Sequence, residues 1–397
     1  MELTTPKGFR DFLPADARKR QFVQDVLKNT FGKYGFQPLE TPAIEYSEVL
    51  KGKYGEEEKL IYTFKDRGGR ELALRYDQTV PLARVISQYP TLPKPFKRYQ
   101  IQNVWRAENT QKGRYREFIQ CDADIIGSST PLADSEILAL VLAIYERLDL
   151  QVTIKINDRA NFQNLDKKYV TVIDKLEKIG ESAVLAEMVS KGLSDTDAKK
   201  ALRTLQDSPI TSNLQEILDN LKKMGVDTSR IKYEPTLARG LDYYTGMIFE
   251  TVAEGSSGSI CSGGRWDKMI GQFTGTDQPS VGFGLGFDRT IEVMESQDLF
   301  QALAFPNQVL VTVFNPELLP QSLELVKKLR DSDINSEVYL DPMVKLEKQL
   351  KYADLRKINF IVIIGPEEVE RGLFTVKDLN SKQQKLVSLD ELLAFIR

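Results

Sequence analysis

Residues 96–127 read FKRYQIQNVWRAENTQKGRYREFIQCDADIIG. Two β-compatible runs flank a basic loop, Thr110-Gln111-Lys112-Gly113, so the segment predicts a pair of antiparallel strands. Alternation then puts Arg106 and Glu108 on one strand face, and Phe118, Gln120, Asp122 and Asp124 together on one face of the returning strand. A core would want Val or Ile at those places. Two readings stand open from the segment alone. One is a solvated antiparallel face. The other is a platform on which arginines grip phosphate oxygens as bidentate donors and carboxylates receive an ammonium.

The surrounding pattern predicts an α+β chain. Residues 15–34 carry Phe22, Val23, Val26, Leu27 and Phe31 near helical spacing, and GFQPLETPAIEY (35–46) then reads as extended, interrupted by Pro38 and Pro42. IYTFKDRGGRELALRYD (61–77) reads as a hairpin around Arg67-Gly68-Gly69-Arg70. A helix at about 131–148 and a strand, QVTIKIND, follow. Residues 161–228 are helical in pattern and rich in Leu, Lys and Asp, as an insertion within a β-rich domain would be. Strands resume at 247–253 and 280–287; beyond a polar hinge near 296–306 the pattern becomes βαβα with a closing hairpin and a short helix.

Composition narrows the chemistry. With 397 residues, 41% of them hydrophobic and 28% charged, the chain has material for two or three globular domains. A net charge of −3 argues against indiscriminate nucleic-acid binding and leaves a local basic groove open. Two cysteines, Cys121 and Cys261, are too few and too far apart for a disulfide framework or a CxxC metal site. With no apolar run near the roughly 20 residues of a membrane span, and no apolar segment in MELTTPKGFRDFLPADARKR, the expectation is a cytoplasmic protein with no membrane partner. Histidine is absent altogether, which removes the commonest general base, the commonest metal ligand and every Ser-His or Cys-His pair. An enzyme built this way has to work by positioning and fixed charge.

Four further stretches carry possible chemistry, each with a plainer reading beside it. In RYDQTVP (75–81), Asp77 and Thr79 lie two apart and would face one way at a strand end, or simply form a turn before Pro81. In CSGGRWDKM (261–269), Gly263-Gly264 allows close backbone approach or a glycine turn. PSVGFGLGFDR (279–289) does not match GxGxxG because position 287 is Phe; its glycines suit either a flat ligand with Arg289 at a helix start or tight strand–helix packing. LARGLDYYTGMIFE (237–250) sets Arg239, Tyr243 and Tyr244 at the entry to a strand.

Together these segments resemble the class II aminoacyl-tRNA synthetases and, within them, the histidyl-tRNA synthetase family. GFQPLETPAIEY is similar to the first class motif, FKRYQIQNVWRAEN with GRYREFIQCD to the second, and SVGFGLGFDR to the third; LARGLDYYTGMIFE and CSGGRWDKM resemble the two signatures peculiar to the histidine enzymes. The resemblance runs from PKGFRDFLP to VKDLNSKQQKLVSLDEL, and RGLDYYTG with QKGRYREF in this order is its most specific part. It implies an antiparallel-sheet catalytic core over 1–305 with a helical insertion at about 160–230, and a C-terminal α/β anticodon-binding domain over 306–397.

The resemblance also implies roles. L-histidine would attack the α-phosphorus of ATP, and the adenylate would then pass histidine to the 3′ end of tRNA(His). Arg106 would grip the α-phosphate, Glu108 the adenine amino group and Arg114 the β/γ-phosphates, with Phe118 stacked on the adenine and Arg289 over its other face or on the γ-phosphate. Arg239 would face Arg106 across the α-phosphate, also touching the amino acid. Asp77, Thr79, Gln120 and Asp124 would hold the amino-acid head group, and Tyr243 and Tyr244 would line the imidazole side. No protein metal site is implied; Mg²⁺ would accompany the phosphates. The family's usual tyrosine in the second signature is Trp266 here, which keeps an aromatic wall and an N–H donor but loses the phenol's acceptor. A homodimer is implied by the first motif. The competing reading is the non-catalytic, synthetase-like regulatory subunit of ATP phosphoribosyltransferase, which typically lacks the anticodon-binding domain and erodes the ATP contacts.

Overall fold

Val23, Leu27 and Phe31 recur every four residues and form the buried stripe of the first helix, α1 (Pro14–Lys33). A computed structural model of the chain describes residues 3–51, 59–110, 114–238, 243–256, 258–300 and 308–396. After α1 come two short extended pieces, β1 (Gln37–Pro38) and β2 (Ile44–Tyr46), then a single turn, α2 (Ser47–Leu50). The expected hairpin forms from β3 (Thr63–Lys65) and β4 (Glu71–Leu74). Asp66 closes it by accepting the Gly68 and Arg70 backbone N–H groups, each at 2.9 Å.

Next follow α3 (Thr79–Gln88), β5 (Phe96–Trp105), β6 (Glu117–Ile126), α4 (Pro131–Arg147) and β7 (Val152–Asp158). The helical insertion consists of α5 (Lys167–Ile173), α6 (Leu176–Ser190), α7 (Asp195–Gln206) and α8 (Ser212–Lys223). Polar caps start three of these: Asp166, Ser194 and Thr211 accept from the backbone N–H of Lys168, Asp197 and Leu214. Then come β8 (Ile231–Tyr233), β9 (Met247–Ala253), β10 (Cys261–Arg265), α9 (Gly271–Thr274), β11 (Ser280–Gly286) and α10 (Phe287–Ser296). All belong to one compact unit, Met1–Phe300.

Eight strands make the main sheet of this unit, in the order β1-β5-β6-β11-β10-β9-β7-β8. The outer pairs β1–β5 and β7–β8 are parallel and the pairings between them antiparallel. A separate antiparallel sheet runs β2-β4-β3. The sheet's two faces differ because strand side chains alternate. On one face Phe31 of α1 stacks on Tyr99, ring centroids 4.7 Å apart, and lies 6.4 Å from Phe283. Helices α4 and α10 pack with α1, and both contact the central strands β6 or β11. The opposite face is the polar one.

Residues Gln301–Arg397 form the second unit. Its elements are β12 (Val309–Val311), α11 (Leu319–Asp331), β13 (Ser336–Val338), α12 (Leu346–Leu355), β14 (Phe360–Ile363), α13 (Pro366–Arg371), β15 (Phe374–Asp378), β16 (Gln384–Val387) and α14 (Leu389–Ile396). Strand order is β13-β12-β14-β15-β16, parallel through β14 and antiparallel beyond. The βαβα pattern and closing hairpin are as the sequence predicts. Helix α13 is not; six residues leave no room for a hydrophobic period, and its markers are Glu368 bonded to the Gly365 N–H at 2.9 Å and Gly372 at φ 63°.

Candidate active site

Register builds the floor of the polar face. Arg98, Gln100 and Gln102 of β5 stand opposite Asp124, Asp122 and Gln120 of β6, and these stand opposite Gly282, Gly284 and Gly286 of β11. Gly264 and Ser262 of β10 continue the first two rows. The glycines matter because the aspartates lean over them. A β-carbon at Gly282 would run into Asp124 Oδ1 and would lie 2.6 Å from the Ala123 carbonyl oxygen; at Gly284 it would lie 3.2 Å from Asp122 Oδ1. Arg98, Gln100, Asp122 and Asp124 are all buried, so the solvated-face reading of this segment is overturned.

One plainer reading and one strand assignment also change. Gly263-Gly264 is not a turn but the middle of β10, where a β-carbon on Gly263 would collide with the Gly282 carbonyl and come within 2.7 Å of Phe283 Cβ. Asp77 and Thr79 do not share a strand face. β4 ends at Leu74, and Thr79 is the first residue of α3, so Asp77 lies at a helix entrance where its Oδ2 accepts the Val80 N–H at 3.4 Å. A helix beginning two residues before Pro81 is compatible with proline, which has no N–H to lose there. Arg106 and Glu108 likewise lie outside the strand expected to carry them, because β5 stops at Trp105.

Asp124 is the electrostatic centre of the floor. Its carboxylate pairs with Arg98 Nη2 at 2.6 Å. Burial pushes its pKa up to about 7; the Arg98 charge opposes this, Asp122 adds to it, the Trp266 side-chain N–H opposes it by hydrogen bonding, and Asp77 adds to it. Asp122 is also raised, mainly by burial, against the pull of Arg98, Gln120 and Arg106. Gln120 Nε2 donates to both Asp122 oxygens, at 3.1 and 2.8 Å, while its Oε1 accepts from Arg106 Nη2 at 3.3 Å. Arg106 is steadied at the other side by donating Nε–H to the Tyr76 carbonyl at 2.9 Å.

An aromatic wall closes one end. Tyr243 and Tyr244 lie with ring centroids 4.2 Å apart and pack, with Trp266, against Leu82, Ala83 and Ile86 of α3 and Ile126 of β6. Tyr244 also packs on the core of the insertion, with Val170, Leu202 and Ile248, so the insertion supports this wall.

At the other end, Arg106 Cζ lies 5.3 Å from the Phe118 ring centroid, and Arg114 Nη1 pairs with Glu108 Oε2 at 3.5 Å. Arg289 stands in the first turn of α10, three residues past the Gly286 that faces Gln120, and donates to the Ser259 carbonyl at 3.0 Å. Arg239 and the loop residues Gln111, Lys112 and Gly113 lie outside the described residues. The fold therefore brings Arg106, Phe118, Gln120, Asp124, Asp77, Tyr243 and Tyr244 along one face, with Glu108, Arg114 and Arg289 at its open end.

Sequence reasoning missed three contributors. Arg98 and Gln100 were legible only as alternate polar residues inside a strand. Gln78 was hidden between the two residues that drew attention. Its Nε2 donates to the Gln102 and Gln120 carbonyls at 3.0 and 2.9 Å, fixing the entrance of α3 to β5 and β6. Among the described residues, no three His, Cys, Asp or Glu side chains gather as a metal site.

Comparison with known proteins decides between the open readings. Residues 8–290 match the family model of histidyl-tRNA synthetase, and residues 308–397 match an anticodon binding domain. The chain belongs to the histidyl-tRNA synthetase family. A histidine–tRNA ligase of Gloeobacter violaceus is 38% identical, the match covering 98% of this chain and 97% of that one. The crystal structure of histidyl-tRNA synthetase from Nostoc sp. PCC 7120 superposes with a TM-score of 0.88 at 31% identity, covering 100% of this chain and 99% of that one. An ATP phosphoribosyltransferase regulatory subunit/histidyl-tRNA synthetase from Bacillus halodurans C has a TM-score of 0.75 at 21% identity over 89% and 97% of the two chains, which shows the shared fold alone. The chain is thus a class II, α+β enzyme of the aminoacyl-tRNA ligase type, with an anticodon-binding domain at its C-terminal end. The regulatory-subunit reading is not favoured.

Proposed function

We infer that the chain activates L-histidine with ATP to histidyl-adenylate and pyrophosphate, and then transfers histidine to the 3′ end of its tRNA. The observation that carries this is the polar floor, in which an Arg98–Asp124 ion pair between β5 and β6 lies beside a chain of hydrogen bonds from Arg106, just past the end of β5, to Gln120 and Asp122 of β6. One supplies a cation for phosphate; the other supplies an acceptor for a substrate N–H.

The substrate carboxylate is itself the nucleophile, so no side chain need remove a proton, consistent with a chain that has no histidine. Arg106 grips the α-phosphate and stabilises the charge that builds on it, with Arg239 facing it from the other side. Phe118 carries the adenine, Glu108 receives its amino group, and Arg114 and Arg289 take the outer phosphates. Asp77, Thr79, Gln120 and Asp124 receive the amino acid, with Tyr243 and Tyr244 along its ring. In the second step an oxygen of the adenylate phosphate takes the proton of the attacking tRNA hydroxyl.

Mg²⁺ enters with ATP and neutralises phosphate charge. Phosphate oxygens and water would be its ligands of preference. A homodimer is proposed through the β2-β4-β3 sheet, where Ile44, Tyr46 and Phe64 are exposed at 43%, 50% and 40%. Among the described residues no helix is long and apolar enough to cross a membrane, in keeping with a cytoplasmic place of work. Histidine-dependent exchange of pyrophosphate into ATP tests the reading: exchange with histidine and with no other amino acid supports it, and its absence removes it.

A further inference from the structure

Arg98 lies in none of the places where phosphate binding needs an arginine, yet it is the largest fully buried side chain of the described fold. It sits in the middle of β5, directly across the ladder from Asp124, and its guanidinium meets that carboxylate at 2.6 Å. Asp124 in turn lies over Gly282, where the absent side chain leaves it room. Resting on the function proposed above, we infer that Arg98 is a positioning residue of the amino-acid pocket: it holds the Asp124 carboxylate ionised and aimed so that it can accept an N–H of the incoming histidine.

The charges around Asp124 explain the need. Asp122 lies on the same strand two residues away, and Asp77 faces it from the entrance of α3; both are negative and disfavour its ionisation. From Trp266, just past the end of β10, comes an N–H, a neutral donor, and β11 contributes glycines with no charge. Arg98 is the cation set against these carboxylates in a buried row. Among the described residues, none of the three guanidinium nitrogens of Arg98 makes a hydrogen bond, and Nη2 meets Asp124 as a close ion pair alone. A residue kept for packing would gain by losing such a charge, because buried ion pairs are frequently matched or bettered by apolar side chains. Its retention makes sense if Asp124 must be a carboxylate when histidine arrives. Burial, Asp122 and Asp77 all push the carboxyl up and the Arg98 charge opposes them, so removing the cation favours the protonated form, which offers one acceptor fewer.

The test is calorimetric titration of histidine, and separately of ATP, into untagged full-length wild type, Arg98→Gln, Arg98→Lys, Asp124→Asn and the Arg98→Gln/Asp124→Asn double variant between pH 6 and 9. Expected are histidine binding weakened about tenfold or more by Arg98→Gln at pH 7, a gap from wild type that narrows toward pH 9, and ATP binding within about twofold of wild type. Arg98→Lys recovers most of the affinity. On the Asp124→Asn background, Arg98→Gln adds little, because both act on one carboxylate. If Arg98→Gln does not fold, Arg98→Met carries the test: it removes the cation, so it should raise the pH midpoint of histidine binding, and lost affinity with an unmoved midpoint overturns the inference. Loss of histidine and ATP binding alike, a loss independent of pH, or full additivity with Asp124→Asn also overturns it. Equal histidine binding by wild type and Arg98→Gln overturns the inference and leaves the functional reading standing; wild type that binds no histidine overturns both.

Discussion

The Asp124 carboxylate occupies the space that a side chain at Gly282 would fill. Two strands that look unrelated in sequence, one acidic and one glycine-rich, are thus halves of one device: the glycine row of β11 is a seat for the aspartates of β6.

Gly282→Ala should therefore cost both stability and histidine binding. The new methyl must displace Asp124 Oδ1 and also meets the Ala123 carbonyl, which as backbone cannot swing aside. Thermal unfolding should drop by several degrees, in line with an overpacking cost of about 1–3 kcal/mol. The histidine KM in pyrophosphate exchange should rise about tenfold or more while the ATP KM changes less.

Trp266 stands where the family resemblance leads one to expect tyrosine, and its N–H is among the groups that pull the Asp124 pKa back down. Trp266→Phe keeps a ring and removes the donor. Histidine should bind about five- to tenfold more weakly, the equivalent of about 1–1.4 kcal/mol, with ATP unaffected. Trp266→Tyr, which restores a donor, should lose less. Fluorescence can follow binding, since the chain has two tryptophans.

The pH dependence has a definite sign. Asp124 holds its proton to about 7 in the fold, against an ordinary value of 3.8 in the unfolded chain. Between those values the folded state binds more protons than the unfolded one, so this group's contribution to stability is present below about pH 4 and is lost as pH rises through about 7. Histidine binding should run the other way and strengthen over the same upper range. Melting curves with and without saturating histidine at pH 5.5 and 7.5 check this: the stabilisation by histidine should be larger at pH 7.5.

Much of this was legible in sequence, for identifiable reasons. The strands 96–105 and 117–126, the helices of 161–228 and the βαβα end follow from local periodicity, which needs no partner to be read. The glycines of 263 and 264 were misjudged because a glycine pair looks the same in a turn as in a strand pressed by neighbours; only the Gly282 carbonyl and Phe283 settle it. Asp77 and Thr79 read as a strand end or a turn, and the helix was missed because α3 starts two residues before a proline. Arg98 and Gln78 were missed because their meaning is across the ladder, not along the chain.

Away from the substrates, Asp134→Ala should strongly destabilise the first unit. Arg265 Nε donates to both Asp134 oxygens at 3.2 Å, its Nη1 donates to the Ser128 carbonyl at 2.9 Å, and both residues are buried. Removing the carboxylate leaves the guanidinium with Asp267 at 3.3 Å and the Ser128 and Thr130 carbonyls, at a cost approaching the roughly 3–5 kcal/mol of a broken buried pair. Urea unfolding measures it, and a change under about 1 kcal/mol would show that the pair contributes little.

The most direct test of the whole account is pyrophosphate exchange into ATP with Arg106→Ala beside wild type. The wild type should exchange only in the presence of histidine. Arg106→Ala should lower kcat about 10²–10³-fold with a far smaller change in histidine affinity, since its guanidinium acts on charge that develops at the α-phosphate. Wild type that shows no histidine-dependent exchange, or an Arg106→Ala variant that keeps its kcat and loses only binding, would contradict the account.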